Sequence, residues 1–293
     1  MKKKLSNMQK NIIIGIVFLF GLGIFLYPNL SNIYAEYSQA ITIYDYQKQQ
    51  QKLDEQAKEI ELEKLQEYNQ SLKQGTIEYV DPFENDDSAE IASMEAEDMN
   101  DSRLGETLGH IEIPKINIDI PIYKGTTDYI LQRGIGLLPN SSMPVGGENT
   151  HTALTGHRGL PSAELFTDIV DLKIDDIFYI HSVAGTLAYQ IESIETVLPH
   201  ETDSLKIQEG RDLATLITCT PYMINTHRIL ITGTRIPYVP IEENEPISRK
   251  MIQYVVEKEQ SVWIYGVTIL LFSAILIIVF IVIRKRKKVG DES

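Results

Sequence analysis

Leu213-Ala214-Thr215-Leu216-Ile217-Thr218-Cys219-Thr220-Pro221 is a run of apolar and Thr residues that ends on the only cysteine of the chain. Residues 213–218 read as a β-strand. Pro221 cannot donate to a ladder, so the strand stops there. Arg228 follows nine residues after Cys219, at the start of another β run, 228–232. A strand, a loop and a returning strand can bring Cys219 and Arg228 to the same end of a sheet.

Outward from this pair the β pattern extends from about residue 104 to residue 238. Ile111-Glu112-Ile113-Pro114, Ile116-Asn117-Ile118-Asp119-Ile120, residues 152–155, Phe178-Tyr179-Ile180 and Ala188-Tyr189-Gln190-Ile191 are short runs, many separated by Gly, Pro or Asn. Many short strands at close spacing predict a small barrel or a sandwich. No internal repeat is present. One run leads into Thr155-Gly156-His157-Arg158-Gly159, where glycines bracket the imidazole, let the backbone bend sharply and leave the ring accessible.

These residue types suit acyl transfer. A free thiol of pKa about 8.5 is mostly protonated at neutral pH. An imidazole can exchange protons with it and with a leaving amine. A guanidinium stays charged and can stabilise a tetrahedral oxyanion. A lone Cys is by itself more often an inert core residue than a nucleophile. It excludes an intramolecular disulfide and a cysteine-based zinc site.

The formal net charge of −14 hides a split along the 293 residues. Lys2, Lys3, Lys4 and Lys10 precede or enter the first apolar stretch, and Arg284-Lys285-Arg286-Lys287-Lys288 follow the last. That leaves 18 of the 27 bases and 39 of the 41 acids in between. A body so acidic repels phosphates, which excludes nucleic acid as a partner. Residues 12–27 form a 16-residue apolar run, about 24 Å as a helix, and residues 262–283 a 22-residue run of about 33 Å. Both are expected to span a bilayer whose core is about 30 Å thick. A cleaved signal peptide is the alternative for the first, but Ile33-Tyr34-Ala35 is a poor cleavage site. A buried core helix is the alternative for the second, and its length and basic flank argue against it. Positive flanks stay cytoplasmic, so residues 1–11 and 284–293 are expected inside and the acidic body outside.

Residues 28–75 are expected to form an external helical arm. Ile33, Tyr37, Ile41 and Tyr44 keep helical spacing, as do Leu53, Ala57 and Ile60 and then Leu65, Tyr68 and Leu72. The polar stretch 46–52 leaves one helix or two open. Asp54 with Lys58, and Glu61 with Lys64, stand at surface-pairing distance. Residues 76–103 change character: 81–101 hold nine acids and no Lys or Arg, and they contain Asp81-Pro82-Phe83. Residues 241–261 form a polar connector to the second span.

Thr155-Gly156-His157-Arg158-Gly159 and Thr215-Leu216-Ile217-Thr218-Cys219-Thr220-Pro221-Tyr222 resemble the His and Cys signatures of sortases, and Asn225-Thr226-His227-Arg228 is similar to the motif that carries their Arg. Leu138-Pro139 and Met143-Pro144-Val145-Gly146-Gly147 resemble the segment leading to the sortase His. The flanks are similar to the pilus-building class C, known for a second C-terminal span, a helical arm and a lid with an Asp-Pro-aromatic motif. Asp81, Pro82 and Phe83 match that motif. The resemblance implies a mainly β fold, a closed eight-stranded barrel over residues 104–240, preceded by the lid segment 76–103. It implies His157 as general acid/base, Cys219 as nucleophile and Arg228 as oxyanion stabiliser, with no cofactor and no metal. It also implies cleavage of a Leu-Pro-x-Thr-Gly-like sorting signal through a thioester, resolved by a Lys amine of another pilin. The expected partners are pilin or surface proteins with C-terminal sorting signals and the lipid bilayer of a Gram-positive cell membrane.

An acceptor in cell-wall peptidoglycan, as in class A, is the alternative, against which the lid motif and second span argue. A papain-type peptidase carries Cys before His, the reverse of the order here. A non-enzymatic scaffold with a buried Cys differs in thiol reactivity. His110, His181 and His200 read as surface or strand residues, His151 as structural, and His227 as facing away from Arg228. Arg158 is expected to pair with an acid. The acids at 242–245 lack the spacing of a known calcium loop.

Overall fold

The computed structural model describes residues 7–72, 79–83 and 105–240. Eight strands occupy the β-patterned half: β1 (Thr107–Ile113), β2 (Ile118–Lys124), β3 (Ile135–Leu137), β4 (Thr150–Thr155), β5 (Ile177–Ser182), β6 (Gly185–Val197), β7 (Asp212–Thr220) and β8 (His227–Ile236). They close into a barrel in the order β1-β2-β3-β4-β7-β8-β6-β5, which decides barrel over sandwich. The β2/β3 and β4/β7 pairs are parallel and the others antiparallel.

Side chains such as Ile111, Ile122, Ile135, Leu154, Phe178 and Leu216 pack in the main core and are fully buried. At about 25 cal/mol per Å² of apolar surface, such residues carry most of the favourable free energy. β7 does not alternate; Leu213 through Cys219 are all buried. Leu216 belongs to the main core, while Ile217 joins a second cluster with Leu138, Ala153, Leu205 and Leu230. A strand covered on both faces has no use for polar alternation, which is why its sequence is an apolar run.

Residues 12–27 and the first half of the arm are one helix, α1 (Asn7–Lys52), with Pro28 inside it. It is the one helix among the described residues long and apolar enough to cross a membrane. The chain breaks at Leu53 and Asp54, and α2 (Glu55–Leu72) follows, so the arm is two helices. The polar stretch 46–52 stays helical. Asp54 does not serve as the surface partner of Lys58. It caps α2, accepting from the N–H of Ala57 at 2.7 Å, and the Lys58 ammonium pairs with Glu55 at 3.1 Å. A carboxylate at that position satisfies an orphan N–H and meets the positive end of the helix dipole.

Buried polar groups dock the arm. Gln39 donates to the Arg133 carbonyl at 3.1 Å and Tyr46 to the Leu108 carbonyl at 3.3 Å. Asn69, 3% exposed, donates to the Met143 carbonyl and accepts from the Met143 N–H. The predicted second span 262–283, the connector 241–261, the tail 284–293 and lid-segment residues 84–103 lie outside the described residues.

Candidate active site

Cys219 and Arg228 stand directly opposite each other at the end of the antiparallel β7/β8 pair. The parallel pairing of β4 with β7 sets Thr155 beside Ile217. Beyond it, the Gly156 N–H donates to the Ile217 carbonyl at 3.1 Å, and the Thr218 hydroxyl donates to the Gly156 carbonyl at 2.7 Å. These bonds tie the backbone on one side of His157 to the strand that carries Cys219. Only glycine suits position 156, because a Cβ would fall 2.6 Å from Ile135 and 2.9 Å from Phe166. The barrel thus gathers His157, Cys219 and Arg228 at one end.

A separate segment of chain, residues 79–83, lies over them. Arg228 Nε donates to Asp81 Oδ1 at 3.2 Å and Nη2 donates to Asp81 Oδ2; both side chains are 5% exposed. Arg228 Nη1 donates to the carbonyls of Asn225 and His227, at 2.8 and 2.9 Å. The Phe83 ring lies 5.3 Å from the His157 ring and 5.3 Å from the Arg228 guanidinium carbon. Phe83 also packs on Tyr123, Ile130 and Leu131; the last two belong to a short helix, α3 (Asp128–Leu131). Phe83 therefore packs on the imidazole and the guanidinium, and Cys219 is left 3% exposed.

Electrostatics follow from this cover. Burial pushes the Cys219 thiol up to about 11; Arg228 and Arg158 pull it down and Asp81 pushes it further up. Burial lowers His157 below the ordinary imidazole value, with Asp128 opposing. Both shifts favour the neutral forms of the two groups.

Among the described residues Arg158 pairs with no acid. Its Nη1 donates to the Thr220 hydroxyl at 3.2 Å and to the Cys219 carbonyl at 3.5 Å, which makes it a brace on the nucleophile's own backbone. Tyr79 was not singled out from sequence. It is 6% exposed, packs with Leu138, Ala153, Leu205, Ile217 and Leu230, and donates to the Leu205 carbonyl at 3.1 Å. The signal for it was its place two residues before Asp81: Val80 between them is 57% exposed, and the chain turns at Pro82 and Phe83, where the Phe83 N–H donates to Asp81 Oδ1 at 3.3 Å. Tyr79 and its neighbours line a small groove that also touches Thr155, Ile217 and Arg228.

The other histidines separate from the site. His151 is buried, with Nδ1 on the Lys206 carbonyl at 3.1 Å and Nε2 on the Thr215 hydroxyl at 2.7 Å. His110 and His181 are strand residues, but His110 is buried and stacks on His181 at 4.3 Å. His110 bonds Asp119 and His181 bonds Glu112. His200 is exposed, and His227 is half-buried and bonded to Thr226. Among the described residues no three His, Cys, Asp or Glu side chains group to hold a metal ion.

Comparison with known proteins fits this geometry. Residues 111–236 match the family model of the Sortase domain. The chain is 28% identical over 128 residues to sortase A of Bacillus anthracis, covering 44% of this chain and 59% of that one. It is 31% identical over 135 residues to sortase D of Bacillus subtilis, covering 45% and 65%. The chain thus spans less than two thirds of these curated relatives. Among solved structures, sortase C1 of GBS pilus island 1 superposes with a TM-score of 0.60 at 39% identity, covering 69% of this chain and 94% of that one. Sortase C of Streptococcus pneumoniae superposes with a TM-score of 0.59 at 44% identity, covering 68% and 99%.

Proposed function

The chain belongs to the sortase family, and on that premise we propose that it is a membrane-anchored cysteine transpeptidase that polymerises pilins. The observation that carries this reading is the convergence of His157, Cys219 and Arg228 at one barrel end beneath Asp81 and Phe83. The likeness to sortase C structures over most of their length supports the pilus class.

The mechanism follows from the residues. A sorting signal of the Leu-Pro-x-Thr-Gly type enters once residues 81–83 leave. With Asp81 gone, one charge that holds the Cys219 thiol up is removed, and the Arg228 Nε and Nη2 donors are freed. The Cys219 sulfur, its proton passed to His157, attacks the Thr carbonyl. Arg228 stabilises the oxyanion. His157 returns the proton to the departing Gly amine, and a thioester remains on Cys219. A Lys amine of another pilin, deprotonated by His157, attacks the thioester and forms an isopeptide bond, and the sulfur leaves.

In this reading residues 12–27 and 262–283 are membrane spans and residues 1–11 and 284–293 are cytoplasmic. Residues 28–75 form the outer arm, 76–103 the lid segment and 104–240 the catalytic barrel, which lies outside the cell; residues 241–261 connect to the second span. Pilins with C-terminal sorting signals are the partners. The test incubates the protein with a sorting peptide and, in separate reactions, a purified pilin or a peptidoglycan-derived amine, using mass spectrometry for the Cys219 acyl-enzyme and electrophoresis for products. An acyl-enzyme and pilin ladders are expected. An acyl-enzyme that passes only to peptidoglycan amines would move the protein to the wall-anchoring class, and no adduct at all would refute transpeptidation.

A further inference from the structure

The loop from β7 to β8 projects from the barrel end that carries the site. Its tip is folded tightly, with the N–H groups of Ile224 and Asn225 both donating to the Pro221 carbonyl at 3.0 Å. Met223 and Asn225 both have φ of 60°. Asn tolerates that left-handed conformation, whereas Met has no local reason to adopt it. Tyr222, Met223 and Ile224 are 49%, 74% and 66% exposed. Three adjacent large apolar side chains thus face outward on a loop that carries no acid, so backbone preference and solubility both leave them unexplained.

The apolar part of α1 arrives at the same barrel end. Ile24, Phe25, Tyr27 and Leu30 are exposed on it. Just beyond them, the Ser31 hydroxyl donates to the Ser162 carbonyl at 3.1 Å, and Asn32 Oδ1 accepts from the Glu164 N–H at 2.9 Å. Ser31 and Asn32 lie only about 6–8 Å past Tyr27 along the helix axis. The segment they hold leads back to the tip. A Cβ on Gly159 would fall 2.7 Å from the Tyr222 ring, and the Arg158 guanidinium lies 5.7 Å from the centre of that ring. Packed contacts therefore run from the helix, through residues 157–164, to Tyr222.

We infer that Tyr222, Met223 and Ile224 form a membrane-contact surface, and that its partner is the bilayer into which α1 inserts. Tyr suits the headgroup level, and Met and Ile suit the acyl boundary beneath it. The contact holds the Cys219 end of the barrel against the membrane surface, a second attachment point beside the helix. This inference rests on the proposed reading of α1 as a membrane anchor.

Site-directed nitroxide labelling tests it on the full chain in phosphatidylcholine–phosphatidylglycerol vesicles. Cys219→Ala removes the native thiol, and single cysteines are then introduced as Met223→Cys, Ile24→Cys and Gln208→Cys. Gln208 is exposed and lies near Asp212, toward the opposite barrel end. The label at 223 should match the label at 24, accessible to dissolved oxygen and shielded from a water-soluble nickel chelate, while the label at 208 stays accessible to nickel. A shielded 24 with a nickel-accessible 223 would overturn the loop contact and leave the anchor standing. A nickel-accessible 24 would overturn the anchor and this inference together. Shielding at 223 that appears only when a pilin is added would make the tip a protein interface and also overturn it.

Discussion

Asp81 closes both carboxylate oxygens on the guanidinium of Arg228, 147 residues away in sequence, and the pair is almost fully buried. One side chain thereby has two effects. It takes the donors of the proposed oxyanion stabiliser, and its charge helps to hold the Cys219 thiol in its protonated form. A buried, two-pronged, charge-assisted pair is strong, and removing one partner of such a pair costs about 3–5 kcal/mol. Ordering the covering segment opposes it, so in the proposed reading the closed state is a gate that can open.

Releasing the gate should expose the thiol. Asp81→Ala combined with Phe83→Ala is expected to raise the alkylation rate of Cys219 in the free protein by about tenfold or more, since each 1.4 kcal/mol taken from closure is tenfold in a fast opening equilibrium. Tyr79→Ala should act in the same direction, because its ring and hydroxyl hold the segment two residues earlier. Equal rates in folded parent and variants, measured by mass-resolved alkylation, would mean that the segment covers nothing of consequence.

The pH dependence has a definite sign. The thiol's value is raised in the closed state to about 11, so its contribution to closure is complete below the free-thiol range and is lost as pH rises through about 11. Alkylation of the parent should therefore titrate with a midpoint near 11. Asp81→Asn keeps the shape but removes a charge that raises the value, and its midpoint should fall. A midpoint unmoved by this change, read from a rate–pH profile, would separate Asp81 from the thiol.

The catalytic roles make graded demands. Cys219→Ala should abolish the acyl-enzyme, and His157→Ala should nearly do so. Arg228→Ala should lower turnover about 10²–10³-fold if the guanidinium donates to the oxyanion. Single-turnover kinetics with a sorting peptide checks this, and a normal rate in Arg228→Ala would exclude the role.

His151 should matter for stability alone. It bonds the Lys206 carbonyl and the Thr215 hydroxyl, which in turn bonds Thr232, so one buried chain links β4, β7 and β8. His151→Ala leaves a cavity and an unpaired carbonyl, and is expected to cost about 2–4 kcal/mol. Burial lowers the imidazole's value, so its contribution is full above about pH 6.5 and is lost as pH falls through the depressed value. Urea unfolding of parent and variant between pH 5 and 8 measures both, and no difference at neutral pH would contradict the structural role.

Much of this was legible in the chain because it is local. Strand runs, stop signals and the motifs around His157, Cys219, Arg228 and Asp81 are properties of a few consecutive residues, and the barrel places the first three at one end as their positions at strand termini implied. Local reading failed where a side chain had two possible partners. Asp54 was within reach of Lys58 by helical spacing, yet the helix end left an orphan N–H nearer to it. Arg158 had acids in abundance to choose from, yet the turn after β4 aims it at Thr220.

The sequence by itself determined which residues could do chemistry and that strands would carry them to a common edge, because residue type and period 2 are written along the backbone. Only the tertiary structure decided that Cys219 faces Arg228 in register, that Tyr79 fills the groove among Leu138, Leu205 and Leu230, and that Phe83 rests on His157. Those are choices among distant partners. They are made by barrel closure, which fixes which strands become neighbours and so which apolar gaps remain for the covering segment to fill.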